Sequence, residues 1–235
     1  MKKIMLLTVA LCLLLAGCGK SPTEAIVETE QPGTTNVETE QVGTDSAEED
    51  KAPAVTVYPL PDTTMKNLTD ATLSISLEEG DAYVDDTGKM QMKVKIYTYD
   101  LYDAKDITQL NVGDTIVRHT DEVKVTSVER SESGLLCVNG GLENGGFDLA
   151  AGGGGTFYEI GFNDAKNWYE LGEATIRVSV DFMGYDNADP ERGELVIYPG
   201  DFLVGAVKDY NFTPYNTTIR VEAGQIVELT RVFVP

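Results

Sequence analysis

The stretch from Met90 to Thr98 alternates strictly, with Met90, Met92, Val94 and Ile96 in one phase and Gln91, Lys93, Lys95 and Tyr97 in the other. A period of two sends successive side chains to opposite faces of a strand, so this stretch offers one face to a core and one to water. Thr72 to Leu77 repeats the pattern through Leu73, Ile75 and Leu77. Between the two, Glu78-Glu79-Gly80 and Asp85-Asp86-Thr87-Gly88 carry turn chemistry, which predicts an antiparallel hairpin. A second hairpin is expected from Thr115 to Arg118 with Val123 to Val128, turned at His119 to Glu122. Further strands are expected at Leu135 to Val138, Phe157 to Ile160, Thr175 to Met183, Glu194 to Tyr198, Thr217 to Val221 and Ile226 to Val234. Strands this short, spaced this regularly by Gly, Asn and Asp, define an all-β fold. The architecture expected is an antiparallel β-sandwich or partly open barrel with few short helices. One helix is expected from Asn163 to Leu171, one from Asp201 to about Tyr210, and a single turn within Asp103 to Leu110.

Upstream of Val55 the composition changes. Residues 19–53 are dominated by Thr, Glu, Gly, Pro, Gln and Ser, hold no aromatic residue, and echo Val27-Glu28-Thr29-Glu30-Gln31 in Val37-Glu38-Thr39-Glu40-Gln41. Such a segment cannot bury enough apolar surface to offset its ordering entropy, so it is expected to be a disordered acidic spacer. As a flexible coil it would span roughly 30 Å. About 180 residues follow, enough for one sizeable core or two small ones.

The first residues carry a different signal. Lys2 and Lys3 precede an apolar run from Ile4 to Leu15, about a dozen residues, which is the length of a signal h-region and short of the roughly 20 that a membrane span needs. The run ends in Leu15-Ala16-Gly17-Cys18, which resembles the lipobox of the type II signal peptides of bacterial lipoproteins. The resemblance covers only about the first 20 residues. It implies a diacylglyceryl thioether on Cys18, cleavage before that cysteine, and an anchor at the outer face of the cell membrane. The organisation expected is therefore a signal peptide at 1–17, the lipidated cysteine and acidic linker at 18–54, and a β-rich extracellular domain at 55–235 with a subdomain seam near 140–156.

On that reading Cys12 leaves with the signal and Cys18 carries lipid, so Cys137 is the one cysteine of the mature chain and an intrachain disulfide is excluded. The domain must rely on its core. The formal net charge of −21 repels anionic membranes and nucleic acid, so nucleic acid is not an expected partner and the membrane is reached through the lipid.

Catalytic constellations are scarce. The glycines from Asn139-Gly140-Gly141 through Gly152-Gly153-Gly154-Gly155 run into Thr156-Phe157-Tyr158, with no Lys-Ser or Lys-Thr to close a phosphate loop, so they read as turns, bulges or close backbone approaches. His119 is the single histidine and lies in a turn, while Cys137 sits in an apolar strand. The sequence has no serine-hydrolase elbow, no His-Glu-x-x-His and no cysteine pair for zinc.

Two chemistries stay open. Asp181, Asp186, Asp189 and Glu191 place oxygen ligands around one loop and are the candidate calcium site, although their spacing departs from the EF-hand pattern. Asp81, Asp85 and Asp86 form a weaker cluster. No other cofactor is expected. Aromatics give the hint of recognition: Tyr97, Tyr99 and Trp168 are the candidate ligand-binding residues, because exposed rings beside carboxylates hold sugars by stacking and hydrogen bonding and also serve protein interfaces. The reading is a membrane-anchored, noncatalytic module for a glycan or surface protein. Its alternatives are an envelope scaffold without a small ligand and a carboxylate-based polysaccharide hydrolase, which needs two facing acids.

Overall fold

The alternating stretches become hydrogen-bonded ladders in the computed structural model, which describes residues 53–161 and 165–234. The signal segment, Cys18, the linker up to residue 52 and Asn163 lie outside the described residues. In chain order the strands and helices begin with β1 (Thr56–Val57), β2 (Ala71–Ser76), β3 (Ala82–Val84), β4 (Met90–Thr98), β5 (Leu101–Asp103), α1 (Ala104–Thr108), β6 (Thr115–Arg118), β7 (Asp121–Lys124) and β8 (Val128–Arg130). They continue with β9 (Leu136–Val138), β10 (Phe147–Ala151), β11 (Thr156–Ile160), β12 (Tyr169–Asn187), β13 (Leu195–Ile197), α2 (Pro199–Leu203), β14 (Thr217–Glu222) and β15 (Gln225–Val232). The fold is all-β, and Pro53–Pro235 forms one compact unit containing two separate hydrophobic cores. Among the described residues no helix is long and apolar enough to cross a membrane.

The first core fills a closed ring of five strands. β2 pairs antiparallel with β4, β4 with β12, and β14 with both β15 and β2, while β12 and β15 pair in parallel. Numbered around the chain, the order is 1-2-3-5-4 and back to 1, a five-stranded Greek-key barrel. One strand makes closure possible: the early residues of β12 pair with β4 and its late residues with β15, with a bulge between Val178 and Met183. Leu73, Ile75, Met92, Val94, Ile96, Ile176, Ile219, Val221, Ile226 and Leu229 are buried in this core, and a register shift of β15 against β14 allows Ile226 and Leu229, three positions apart, to enter it together. The predicted hairpin partners do pair, Ile75 opposite Ile96, and β3 adds to the same edge of β4 through Tyr83 opposite Gln91.

The second core lies in the insertion between β4 and β12. Strands β5, β11, β10, β9 and β8 form an antiparallel sheet in that order, and β1, β6 and β7 form a smaller one, with β1 parallel to β6. Both sheets contribute to the buried cluster of Val57, Tyr102, Ile116, Leu136, Val138, Phe147, Leu149 and Phe157. β1 joins this core from outside the insertion, so the division between cores falls at the two ends of the insertion and again between β1 and β2. Segment 140–156 runs inside it, through β10, and Gly146 there lies so close to Val138 that a Cβ would sit 2.0 Å from the Val138 carbonyl oxygen.

The helix expected from Asn163 to Leu171 is corrected. Trp168 is not helical, and Tyr169 and Glu170 already pair with Thr98 and Tyr97, so their backbone groups are committed to the barrel. The helix expected from Asp201 to Tyr210 is also shorter. It stops at Leu203, and Asp201 sits inside its first turn, where its carboxylate accepts the Tyr198 N–H at 2.7 Å. Asp103 caps α1, its carboxylate accepting the Lys105 N–H.

Candidate functional site

Three chain crossings join the two cores, and they converge. The N-terminal segment leaves β1 and passes β5, where Leu60 N–H donates to the Leu101 carbonyl. β4 runs on through Tyr99 and Asp100 into β5, and the return from β11 passes Lys166, Asn167 and Trp168 into β12. Topology therefore brings together residues that are far apart in sequence.

Rings gather on one side of this junction. Tyr99 meets Trp168 edge to face at 4.8 Å between centroids, and Tyr158 at 6.0 Å. The Lys166 ammonium lies 4.1 Å from the Tyr99 centroid and 5.7 Å from those of Tyr158 and Trp168, and it donates to the Tyr99 hydroxyl at 2.7 Å. All four side chains are half-buried, so the cluster is open to solvent. Of the three expected ligand-binding residues, Tyr99 and Trp168 are thus in contact. Tyr97 lies instead on the outer face of β4, with its hydroxyl 3.2 Å from Ser76 Oγ.

Beside the rings lies a cavity of about 270 Å³ lined by Asp62, Thr98, Tyr99, Asp100 and Tyr169 among others. Asp62 accepts the Thr98 hydroxyl and the Thr64 N–H, both at 2.7 Å. Partial burial works against its charge, but the bonds from Thr98 and Thr64 prevail and hold its carboxyl below the usual range. Asp100 is buried and accepts the His119 N–H at 2.6 Å and Tyr169 Oη at 3.0 Å, while Tyr102 Oη, which donates to the Val117 carbonyl at 2.9 Å, lies 3.3 Å from the same carboxylate. Burial, then the Asp100 charge, push both phenols well above the ordinary tyrosine value, so they stay neutral donors. The His119 ring packs edge to face on Tyr169 at 4.1 Å, and His119 itself adopts φ 54°, which aims its N–H at Asp100.

Behind this layer Arg118 grips Glu159 through Nε at 2.7 Å and through Nη2, and Asn167 donates to the same carboxylate at 2.6 Å. Glu159 is 4% exposed. The guanidinium also lies 4.4 Å over the Phe147 ring. This pair ties β6 to β11 and, through Asn167, to the loop that presents Lys166 and Trp168. The sequence reading singled out none of Asp62, Asp100, Glu159 or Arg118. A signal existed for one: Glu159 shares the inward phase of β11 with Phe157, and a charge in a buried phase demands a partner.

The residues expected to hold calcium do not converge. Asp186 is buried against Arg231 at 3.0 Å, Asp189 accepts the Glu191 and Arg192 N–H groups to close its own turn, and Asp181 is exposed on β12. Asp85 is likewise spent on a turn, accepting from Thr87, Lys89 and Gln91. Among the described residues no group of three or more acidic, histidine or cysteine side chains is arranged to hold a metal ion. Cys137 is buried in β9. No family model, no curated protein and no solved structure matches this chain.

Proposed function

We propose that this chain is a noncatalytic glycan-binding module, tethered at the outer face of the membrane through lipid on Cys18 and presented on an acidic spacer. The observation that carries the reading is the Tyr99–Trp168–Tyr158 ring cluster beside a cavity lined by the exposed Asp62 carboxylate and the Thr98 hydroxyl. Rings offer apolar faces to the C–H side of a pyranose, and fixed acceptors take its hydroxyls. The barrel agrees with this. Five-stranded Greek-key barrels of the OB type bind oligonucleotides or oligosaccharides, and a net charge of −21 disfavours the polyanion.

A hydrolase needs an acid held protonated at working pH. Asp62 is driven the other way, and the oxygens of Asp100 are occupied by the Tyr169 phenol and a backbone amide. These two features favour recognition over cleavage. The test is retention on a glycan array by Tyr99→Ala, Trp168→Ala and Tyr97→Ala variants. Losing one stacked ring should weaken binding about 5- to 10-fold for the first two, from roughly 1 kcal/mol per ring contact, and leave the third unchanged. Undiminished binding by Trp168→Ala, or a loss confined to Tyr97→Ala, would overturn the assignment.

A further inference from the structure

The ring cluster already holds a cation. Three aromatic rings flank the Lys166 ammonium, the Tyr99 centroid at 4.1 Å and those of Tyr158 and Trp168 at 5.7 Å. Ring quadrupoles attract positive charge, and aromatic cages select organic ammonium groups. The adjoining cavity is lined by two acidic residues, Asp62 and Asp100. Both elements favour the same sign of charge.

We infer that Lys166 is a tethered pseudo-ligand, and that the true occupant of the Tyr99–Tyr158–Trp168 cage is an organic ammonium borne by the bound molecule. Three features support exchange over a permanent structural role. The lysine is half-buried rather than enclosed. Its four-carbon stem can swing the charge outward without moving backbone, since the backbone is held separately by the Lys166–Ile160 bridge and by the Asn167 N–H to the Glu159 carbonyl. Its polar contact is to a phenol, Tyr99 Oη, which a ligand can replace with its own donor or with water. The site then binds only ligands able to displace an internal competitor, and its apparent affinity is reduced by the fraction of molecules with the cage vacated.

This rests on the glycan-binding reading in so far as the ammonium belongs to an amino sugar, and it narrows the ligand class. Trp168 is the only tryptophan of the chain, so its emission reports the cage alone. Choline chloride is titrated against the native chain and against Lys166→Gln and Lys166→Met, with 3,3-dimethylbutanol as the neutral isostere and sodium chloride as the ionic control. Both variants should give a saturable change in Trp168 emission with choline, about 10-fold or more tighter than the native chain, and none with the neutral isostere. Equal response to the isostere, or no saturable response from either variant while the far-UV spectrum stays native, overturns the inference. Parallel titration with glucosamine and N-acetylglucosamine oligomers separates the two claims. Binding of both oligomers with equal strength leaves the glycan reading standing and removes the cation requirement, whereas binding of choline without either oligomer retains the cage and removes the glycan.

Discussion

Removing Glu159 strands a guanidinium, and the cost can be worked from its surroundings. Glu159 is 4% exposed and receives Arg118 twice and Asn167 once. Deleting one member of a buried ion pair costs about 3–5 kcal/mol, mostly from the charge left behind. The Arg118 side chain keeps 27% of its surface in water and its face on Phe147, so its abandonment is partly relieved. Glu159→Gln should therefore cost about 3 kcal/mol, at the lower end. Arg118→Met leaves the deeper carboxylate with Asn167 alone and should cost about 4 kcal/mol. The double variant Arg118→Met/Glu159→Met buries no charge and should return to within about 1 kcal/mol of the native chain. Urea unfolding followed by Trp168 emission reads all three, because Trp168 adjoins Asn167, which bonds Glu159. A double variant as unstable as the sum of the singles, about 7 kcal/mol, would refute the claim that uncompensated charge dominates the cost. So would Glu159→Gln proving costlier than Arg118→Met.

Gly146→Ala would put a Cβ 2.0 Å from the Val138 carbonyl oxygen and 2.6 Å from that of Asn139, both backbone atoms, and should destabilise by about 2–3 kcal/mol; Gly153→Ala, in the same glycine-rich run with nothing within 4 Å, should be neutral or slightly stabilising in the same thermal melt. Equal melting temperatures for the two variants would contradict this account of the glycines. Because the folded state holds the Asp62 carboxyl below its unfolded value of about 4, Asp62 contributes stability above that pH and loses it as pH falls through the folded value. Acid unfolding between about pH 5 and 2 should accordingly be shallower in Asp62→Asn than in the native chain, and superimposable curves would show that Thr98 and Thr64 do not perturb it.

Where side-chain phase and strand coincide, the sequence was a sound guide. β4 was legible to its last residue because Met92, Val94 and Ile96 all face one core. β12 was half missed, since the register against β4 shifts between Glu170 and Gly172, and that irregularity breaks the period through which a strand is recognised. The two cores left no trace in composition. Only Tyr99 and Asp100 separate β4 from β5, so the chain passes from barrel to insertion without a linker to announce it. Tyr99 and Trp168 were legible as residue types, but their meeting depends on strand order, which local patterns do not encode. Asp62 and Asp100 were hidden among 39 acidic residues, and only the donors converging on them set them apart.

The ring of strands also imposes an order in time. The widest strand pairing within the insertion joins β11 to β5, with Phe157 opposite Tyr102, whereas Leu73 waits for Ile219, and the parallel seam of β12 must wait for β15. Loop-closure entropy delays such distant pairings, so the inserted sheet can consolidate while the barrel is still an open ribbon with β2 and β12 unsatisfied. The eight residues of β15 act as the clasp. A chain stalled before Gln225 would carry a finished recognition loop on an unfinished barrel, with two bare strand edges exposed to any neighbour in the same condition.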